Sequence, residues 1–253
     1  MLRVETDGAV ATITMDAPER LNAMGREFWP DLRDALSTVE SDGTTRVVVI
    51  TGAGEKAFSA GGDIASFAEL DGPAAKREFQ RDCMRTFAAV EESPLPVVAA
   101  VNGYAMGGGC ELALACDVVL AADTAVFAMP ETAVGLVPGF GVLRAPSVIG
   151  RPWTKLMMIG GERVDASTAL AIGLAQKVVP AAELAATARK LAERMAAAAP
   201  LAVATGKALV NRGVDRGEFE HSTAALTALH GTADAAEGIA AFVGKRSPTF
   251  EGR

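Results

Sequence analysis

Short, uninterrupted apolar segments that end in glycines constrain the fold of this chain more than any other feature. The segments RVVVITGAG at 46–54 and LPVVAAVNG at 95–103 are rich in β-branched residues and have no polar face. A strand that is apolar on both sides must be covered on both sides, which is typical of parallel strands that alternate with helices. Between them, apolar residues recur at helical spacing, as in Phe79, Cys83 and Phe87. We therefore predict an α/β fold.

The C-terminal part of the sequence has a different character. After about Val179 the patterns are helical, and the first of them covers 181–200. Pro200 is the expected boundary because proline breaks a helix, so we predict two regions, 1–199 and 200–253. Helices outside a core must bury their apolar faces, which indicates a subunit interface for the second region. Its helices are predicted near 201–213, 217–229 and 233–243.

The composition limits which binding partners and which cellular compartment are expected for this protein. Lys and Arg total 24 and Asp and Glu total 31, and the net charge of −7 disfavours binding to nucleic acid or to anionic membranes. Cys83, Cys110 and Cys116 contain no CxxC pair, which fits a reducing compartment. We expect neither a signal peptide nor a membrane span. The predicted location is the cytoplasm.

Several catalytic classes are disfavoured by the motifs that are missing. His221 and His230 stand nine residues apart, which is not the spacing of a metal site on one helix face. We expect both to be ordinary, partly exposed residues, and this disfavours a Ser-His or Cys-His hydrolase. GAGEKA at 52–57 fits a weak dinucleotide fingerprint, but it runs into FSAGGD instead of opening a helix. We predict neither a metal site nor a nicotinamide site.

Two glutamates stand in apolar, glycine-rich surroundings, which can shift the pKa of a carboxyl group. Glu111 lies in AMGGGCELALACD and Glu131 lies in MPETAVGLVPGFG. The alternative for each is a first-turn residue favoured by the helix dipole, and Pro130 suits such a turn. The loops AGGD and GGGCE either aim backbone N–H groups at one point, as in an oxyanion hole, or serve only as tight turns.

Four ordered motifs resemble those of the enoyl-CoA hydratase/isomerase (crotonase) family. They are ITGAGEKAFSAGGDI, AVNGYAMGGGCELALACDV, FAMPETAVGLVPGFG and KRSPTFEGR, and the resemblance covers nearly the whole chain. It implies a spiral of β-β-α turns followed by a C-terminal helical oligomerisation region, in a homotrimer or a dimer of trimers. It also implies an acyl-CoA thioester ligand. No metal or separate cofactor is expected, because CoA arrives as part of the substrate.

The resemblance assigns roles to four residues by their place in the motifs. The backbone N–H groups of Gly62 and Gly108 match the pair that holds the thioester oxygen in this family. Glu111 matches the carboxylate usually regarded as water-activating, and Glu131 the one that protonates the α-carbon. Their separation of 131 − 111 = 20 residues is that of the hydratase pattern. Two close carboxylates titrate as a coupled pair, so either order of roles is kept open.

The resemblance also suggests residues that bind the substrate. Arg20 and Lys245 are our candidates for the CoA phosphates, since the usual basic residue after AGGD is absent; the alternative for each is a solvated surface charge. The segment PGFGVLRAP departs from the common PGAGGTQRL and is one residue shorter, which changes the border of the acyl pocket. The other predicted positions are Met24, Ala60, Asp63, Ile64 and Phe140.

The function predicted from the sequence is hydration of a 2-enoyl-CoA to a 3-hydroxyacyl-CoA. A double-bond isomerase is the first alternative, and it needs a single carboxylate near the position of Glu131. A non-catalytic acyl-CoA-binding or RNA-binding family member is the second. Retention of Glu111 argues against the first, and the acidic charge and both glutamates argue against the second.

Overall fold

The computed structural model describes residues 2–211, 220, 223–224 and 227–249. Among them the strands are β1 (Leu2–Asp7), β2 (Val10–Met15), β3 (Val47–Gly52), β4 (Ala57–Ser59), β5 (Val97–Val101), β6 (Tyr104–Met106), β7 (Val118–Ala122), β8 (Val126–Ala128), β9 (Val164–Asp165) and β10 (Lys177–Val179). The helices are α1 (Phe28–Ser41), α2 (Ile64–Ala68), α3 (Gly72–Glu92), α4 (Gly108–Ala115), α5 (Gly141–Val148), α6 (Gly150–Ile159), α7 (Ala166–Ala171), α8 (Leu184–Ala196), α9 (Pro200–Val210) and α10 (Ala233–Val243).

The strands form two sheets through which the chain winds as a spiral. One sheet has the order β1-β2-β3-β5-β7-β10 and the other the order β4-β6-β8-β9. The successive pairs β3 and β4, β5 and β6, and β7 and β8 each place one strand in either sheet, and neighbouring turns pair in parallel. Helices follow these pairs, so each turn repeats strand, strand and helix. The predicted α/β class and β-β-α spiral are confirmed.

The larger sheet is covered on both faces, which explains why its strands are apolar throughout. Val47 and Val49 of β3 pack in one cluster with Leu184 of α8. Val48 and Ile50 alternate with them and point into the main core on the other face. A central parallel strand with both faces buried needs apolar residues at successive positions, as the sequence has.

The two longest helices before the second glycine loop pack against each other. Phe79, Cys83, Phe87 and Val90 of α3 are all buried, as their helical spacing predicted. On the facing helix α1, Trp29 packs edge-on against Phe79 and Phe87, with ring centroids 6.3 and 5.4 Å away. This aromatic contact packs α3 against α1 beside the loops that carry the candidate site.

The C-terminal helices match the predicted pattern where the structure describes them. Helix α9 begins at Pro200, and α10 covers the stretch predicted at 233–243. The helix predicted at 217–229 lies largely outside the described residues. Helix α10 packs back on the 3₁₀ turn Glu131–Val134, where Gly238 allows close approach to Val134. The division into 1–199 and 200–253 stays a prediction. In the described part of the chain, no helix is both long and apolar enough to cross a membrane.

Candidate active site

The first glycine loop follows β4 and is fixed by a short parallel bridge to Met24. The N–H of Met24 donates to Gly61 O over 2.8 Å, and the N–H of Asp63 donates to Met24 O over 2.9 Å. Because successive backbone groups in an extended segment point to opposite sides, the N–H of Gly62 is directed away from Met24. The bridge therefore presents the Gly62 amide on the opposite side of the loop.

Two polar side chains that the sequence analysis did not select hold this loop in shape. The hydroxyl of Ser59 accepts from Gly61 N over 3.0 Å and donates to Asn22 O over 2.8 Å. Asn22 has a positive φ of 55°, and its amide nitrogen donates to Ala57 O over 2.8 Å. The signal for Asn22 was its residue type, because asparagine tolerates left-handed backbone and bonds nearby backbone groups.

The second glycine loop brings the start of α4 against the first. Gly107 has a positive φ of 51°, and Gly108 begins the helix, so the Gly108 N–H has no partner within its own helix. A Cβ on Gly108 would lie 3.5 Å from the Gly62 nitrogen, and one on Gly109 would lie 2.5 Å from Ser59 O. Close backbone approach excludes a side chain at Gly109, and the Gly62 and Gly108 backbones lie side by side.

Glu111 is a buried carboxylate in the first turn of α4. Its Oε1 accepts from Phe140 N over 2.7 Å and from Gly141 N over 2.8 Å. Burial raises the pKa of Glu111 to about 7, and the Gly141 and Phe140 amides oppose that rise by stabilising the ionised form. The group therefore titrates near neutral pH, where a general base is most effective.

Glu131 faces the same space from the 3₁₀ turn that follows β8. Its Oε1 lies against Gly107, and a Cβ on Gly107 would be only 2.9 Å from this oxygen. Its Oε2 is buried and has no hydrogen-bond partner among the described residues. Burial first, and then the charge of Glu111, raise the pKa of Glu131 well above its ordinary value. The two N–H donors on one oxygen of Glu111 favour its ionised form, and Glu131 Oε2 has no such donors among the described residues.

A cavity of about 200 Å³ joins the two loops and both carboxylates. Its wall beyond them is mainly apolar and comes from α1, α2, α3, the segment 130–140 and one residue of α10, Phe242. The arrangement sets two amides and two carboxyl groups at one end of an apolar pocket. Seven of the residues predicted from the sequence line it: Ala60, Gly62, Ile64, Gly108, Glu111, Glu131 and Phe140.

The remaining predicted residues are not part of this lining. Met24 is fully buried behind the glycine loops. Asp63 caps α2 by accepting from Ala65 N, and its Oδ2 stands 3.7 Å from Arg20 Nη1. Lys245 is exposed just beyond Phe242, whose carbonyl accepts from the Lys245 amide. Their roles in binding the substrate stay predictions.

The segment that departs from the common family pattern carries a buried ion pair. Arg144 of α5 donates to both carboxylate oxygens of Glu91 over 2.5–2.8 Å, and its guanidinium lies 5.2 Å from the Phe140 ring centroid. Phe140 also packs on Phe87 at 5.1 Å. The ring of Phe140 thus packs against Arg144 and Phe87, and its backbone N–H donates to Glu111.

The comparison with known families decides what kind of chain this is. The sequence model of the family described as enoyl-CoA hydratase/isomerase matches residues 5–253. The chain belongs to the enoyl-CoA hydratase/isomerase family. A crotonyl-CoA hydratase from Syntrophomonas wolfei is 36% identical over 252 residues, covering 98% of this chain and 96% of the relative. A short-chain-enoyl-CoA hydratase from Clostridium acetobutylicum is 35% identical over 247 residues, covering 96% and 94%.

The solved structures agree with this membership of the enoyl-CoA hydratase/isomerase family. A carnitinyl-CoA hydratase from Mycobacterium avium superposes with a TM-score of 0.88 at 35% identity, covering 100% of this chain and 98% of that one. Fold and sequence therefore support the same family assignment.

One prediction about this family member is wrong, and it concerns His230. The residue is buried, with 2% of its surface exposed, and it contacts Gln80, which lines the cavity. The sequence carried no signal for this burial, because a histidine is a polar residue and is more often exposed. His221 lies outside the described residues. Gln80 itself was missed because helical periodicity marks its apolar neighbours and not the amide.

Proposed function

We propose that this family member is an enoyl-CoA hydratase that adds water across the 2,3 double bond of a 2-enoyl-CoA thioester. The observation that carries the proposal is the unequal pair of buried carboxyl groups in one cavity. Glu111 is held by two backbone N–H donors, whereas Glu131 Oε2 has no partner in the described residues. A base and an acid are both available at the same pH when two environments separate two carboxyl groups in this way. The names of the relatives, crotonyl-CoA and short-chain-enoyl-CoA hydratase, support the same reaction.

The proposed reaction begins with activation of the thioester by backbone amides. The N–H groups of Gly62 and Gly108 donate to the thioester oxygen, where negative charge develops as water adds to the β-carbon. Donors fixed in a pocket shielded from water stabilise such charge without reorganising during the reaction. The position of Gly108 at the first turn of α4 adds the partial positive charge of the helix N-terminus.

The two carboxyl groups complete the addition by moving one proton each. Ionised Glu111 takes a proton from water as the water oxygen bonds to the β-carbon, and protonated Glu131 gives its proton to the α-carbon. Afterwards Glu111 carries a proton and Glu131 is ionised, so one proton transfer between them or through solvent restores the starting state. The raised pKa of Glu131 and the two amides on Glu111 support this order of roles.

The proposal is tested with a panel of CoA thioesters and identification of the products. We expect loss of the enoyl absorbance with 2-enoyl-CoA substrates and a 3-hydroxyacyl-CoA product. Conversion of 3-enoyl-CoA to 2-enoyl-CoA without a hydroxylated product would identify an isomerase instead. Binding of the thioesters without turnover would identify a non-catalytic family member.

We further propose that the chain acts as a homotrimer or a dimer of trimers. Large apolar side chains stand exposed on α9, with Leu201 and Val210 at 83% and 84% exposure, and on α6 at Ile159. An exposed apolar helix face is typical of a subunit contact. Light scattering of the purified protein measures the mass, and a monomer would contradict the proposal.

The remaining expectations concern cofactor and compartment. The proposed reaction needs no metal or redox group, so activity is expected to survive dialysis against a chelator. The cytoplasm is the proposed location, since Cys83, Cys110 and Cys116 are all free thiols, which suits a reducing compartment.

A further inference from the structure

The apolar part of the cavity carries an amide that the proposed reaction does not use. Gln80 of α3 lines the cavity together with the aromatic residues Phe79 and Phe87. Phe87 packs on Phe140, whose amide holds Glu111. Gln80 precedes Phe87 by seven residues on the same helix face, so it stands about 10 Å away from the carboxylate end. A polar group at that distance faces the acyl chain and not the reacting carbons.

This amide is held in place by a buried histidine. Gln80 Nε2 donates to His230 Nε2 over 2.6 Å, and the His230 carbonyl accepts from Lys76 Nζ over 2.9 Å. The His230 ring also meets the Phe67 ring edge-on at 6.1 Å, and Phe67 lines the cavity. Burial, followed by the charge of Lys76, lowers the pKa of His230 to about 4, so the imidazole is neutral at pH 7. Its Nε2 is then the acceptor, because the amide nitrogen of Gln80 can only donate.

If the pair of Gln80 and His230 served only to stabilise the fold, its buried polar atoms would be unfavourable. His230 Nδ1 is buried and has no hydrogen-bond partner in the part of the chain that the structure describes. A buried polar atom without a partner is destabilising, and an apolar pair of similar size would avoid that penalty. Such an arrangement points to a ligand that uses the polar surface.

The free end of the Gln80 amide is available to such a ligand. Because Nε2 is engaged by His230, the carbonyl Oε1 is the remaining polar atom, and it is neither fully buried nor bonded to any described residue. On α1, Trp29 lines the same cavity, and its indole N–H is buried without a partner among the described residues. The Gln80 Oε1 acceptor matches a hydroxyl group, which is neutral and donates a hydrogen bond.

We propose that Gln80, positioned by His230, is a specificity-determining residue that hydrogen-bonds a hydroxyl group on the acyl chain of the substrate. Gln80, His230 and Trp29 form what we call the acyl subsite. It favours a 2-enoyl thioester with a neutral hydroxyl substituent remote from the double bond over the plain fatty acyl thioester of equal length. A carboxylate at that position is disfavoured, because Glu111 and Glu131 share the cavity. The inference rests on the proposed hydratase function.

The test compares matched 2-enoyl-CoA substrates of graded chain length that end in either a hydroxyl or a methyl group. At the length that reaches Gln80, the wild type should show a kcat/KM ~10–100-fold higher for the hydroxyl substrate, as one buried hydrogen bond provides. Gln80→Met, which keeps the length and removes the amide, should reduce that preference to about one. Gln176→Met removes an amide that bonds Val119 N outside the cavity, and it should keep the wild-type preference.

Two outcomes separate this inference from the proposed function. Hydration of every methyl-ended substrate at rates equal to or above those of its hydroxyl partner overturns the acyl subsite and leaves the hydratase intact. If no thioester is hydrated, calorimetric binding of saturated acyl-CoAs with and without the hydroxyl still decides the matter. Equal affinities of the wild type for the two would overturn the inference without any variant.

Discussion

Arg144 offers a sharp test of how the protein holds its base in the ionised state. The Arg144 guanidinium binds both oxygens of Glu91 and lies over the Phe140 ring, and the Phe140 and Gly141 amides donate to Glu111. Arg144→Met keeps much of the side-chain volume but removes the positive charge and its contacts with Glu91 and the Phe140 ring. We expect two separate effects, one on stability and one on the titration of Glu111.

The magnitudes follow from burial and from the hydrogen bonds. The side chains of Arg144 and Glu91 are 7% and 14% exposed, so removing Arg144 leaves a buried, unpaired carboxylate and should lower the free energy of unfolding by about 3–5 kcal/mol. If the loosened turn gives up about 1.4 kcal/mol of hydrogen bonding to ionised Glu111, the Glu111 pKa rises by about one unit. The acid limb of the pH profile of kcat/KM then shifts to a pH about one unit higher. At pH values on that limb, kcat/KM is ~10-fold lower than in the wild type.

The assay is the pH dependence of kcat/KM for crotonyl-CoA, with unfolding by denaturant measured in parallel. Lys207→Met is the matched control, because Lys207 forms a similarly buried pair with Asp117 at 2.7 Å and neither residue lines the cavity. The control should lose stability and keep the wild-type acid limb. An acid limb that stays in place in Arg144→Met, or moves equally in both variants, would refute the proposed effect of Arg144 on the pKa of Glu111.

Three further outcomes are expected. The wild-type kcat/KM should rise with pH through about 7 as Glu111 ionises, and fall at higher pH as Glu131 loses the proton it must donate; a flat profile across that range would contradict these roles. Gly108→Pro removes one N–H donor and should lower kcat by ~10²-fold or more, with circular dichroism to check folding. A chain that ends at residue 199 should aggregate, as judged by light scattering, because it exposes the apolar surfaces that α9 and α10 cover in the full chain.

The parts of the structure that the sequence predicted are those with a local signal. Apolar strands followed by glycines predicted the α/β class, since both faces of such strands must be covered, whereas the β-β-α spiral was implied by the family resemblance. Helical spacing predicted the burial of Phe79, Cys83, Phe87 and Val90 on α3, but not that of Gln80. The place of Glu111 and Glu131 in one cavity came from ordered motifs and not from periodicity, which cannot tell a catalytic acid from a helix-capping one.

The contacts that could not be predicted join residues that are far apart in the chain. His230 meets Gln80 across 150 positions, and Arg144 meets Glu91 across 53. Side-chain pairing of this kind depends on the path of the whole chain, and no short window of sequence contains it. For His230 the sequence favoured exposure, because polar residues are mostly exposed, and tertiary packing reversed that expectation.

The two-carboxylate mechanism is tested by assaying Glu111→Gln and Glu131→Gln in parallel on 2-enoyl-CoA and 3-enoyl-CoA. Glutamine keeps an oxygen that can accept from Phe140 N and Gly141 N but removes the base. If water addition needs both carboxyl groups, each variant should lose ~10²–10⁴-fold in hydration of the 2-enoyl substrate. Hydration that survives in both variants would contradict the two-carboxylate account, and so would a severe loss confined to Glu131→Gln with 3-enoyl-CoA as the preferred substrate.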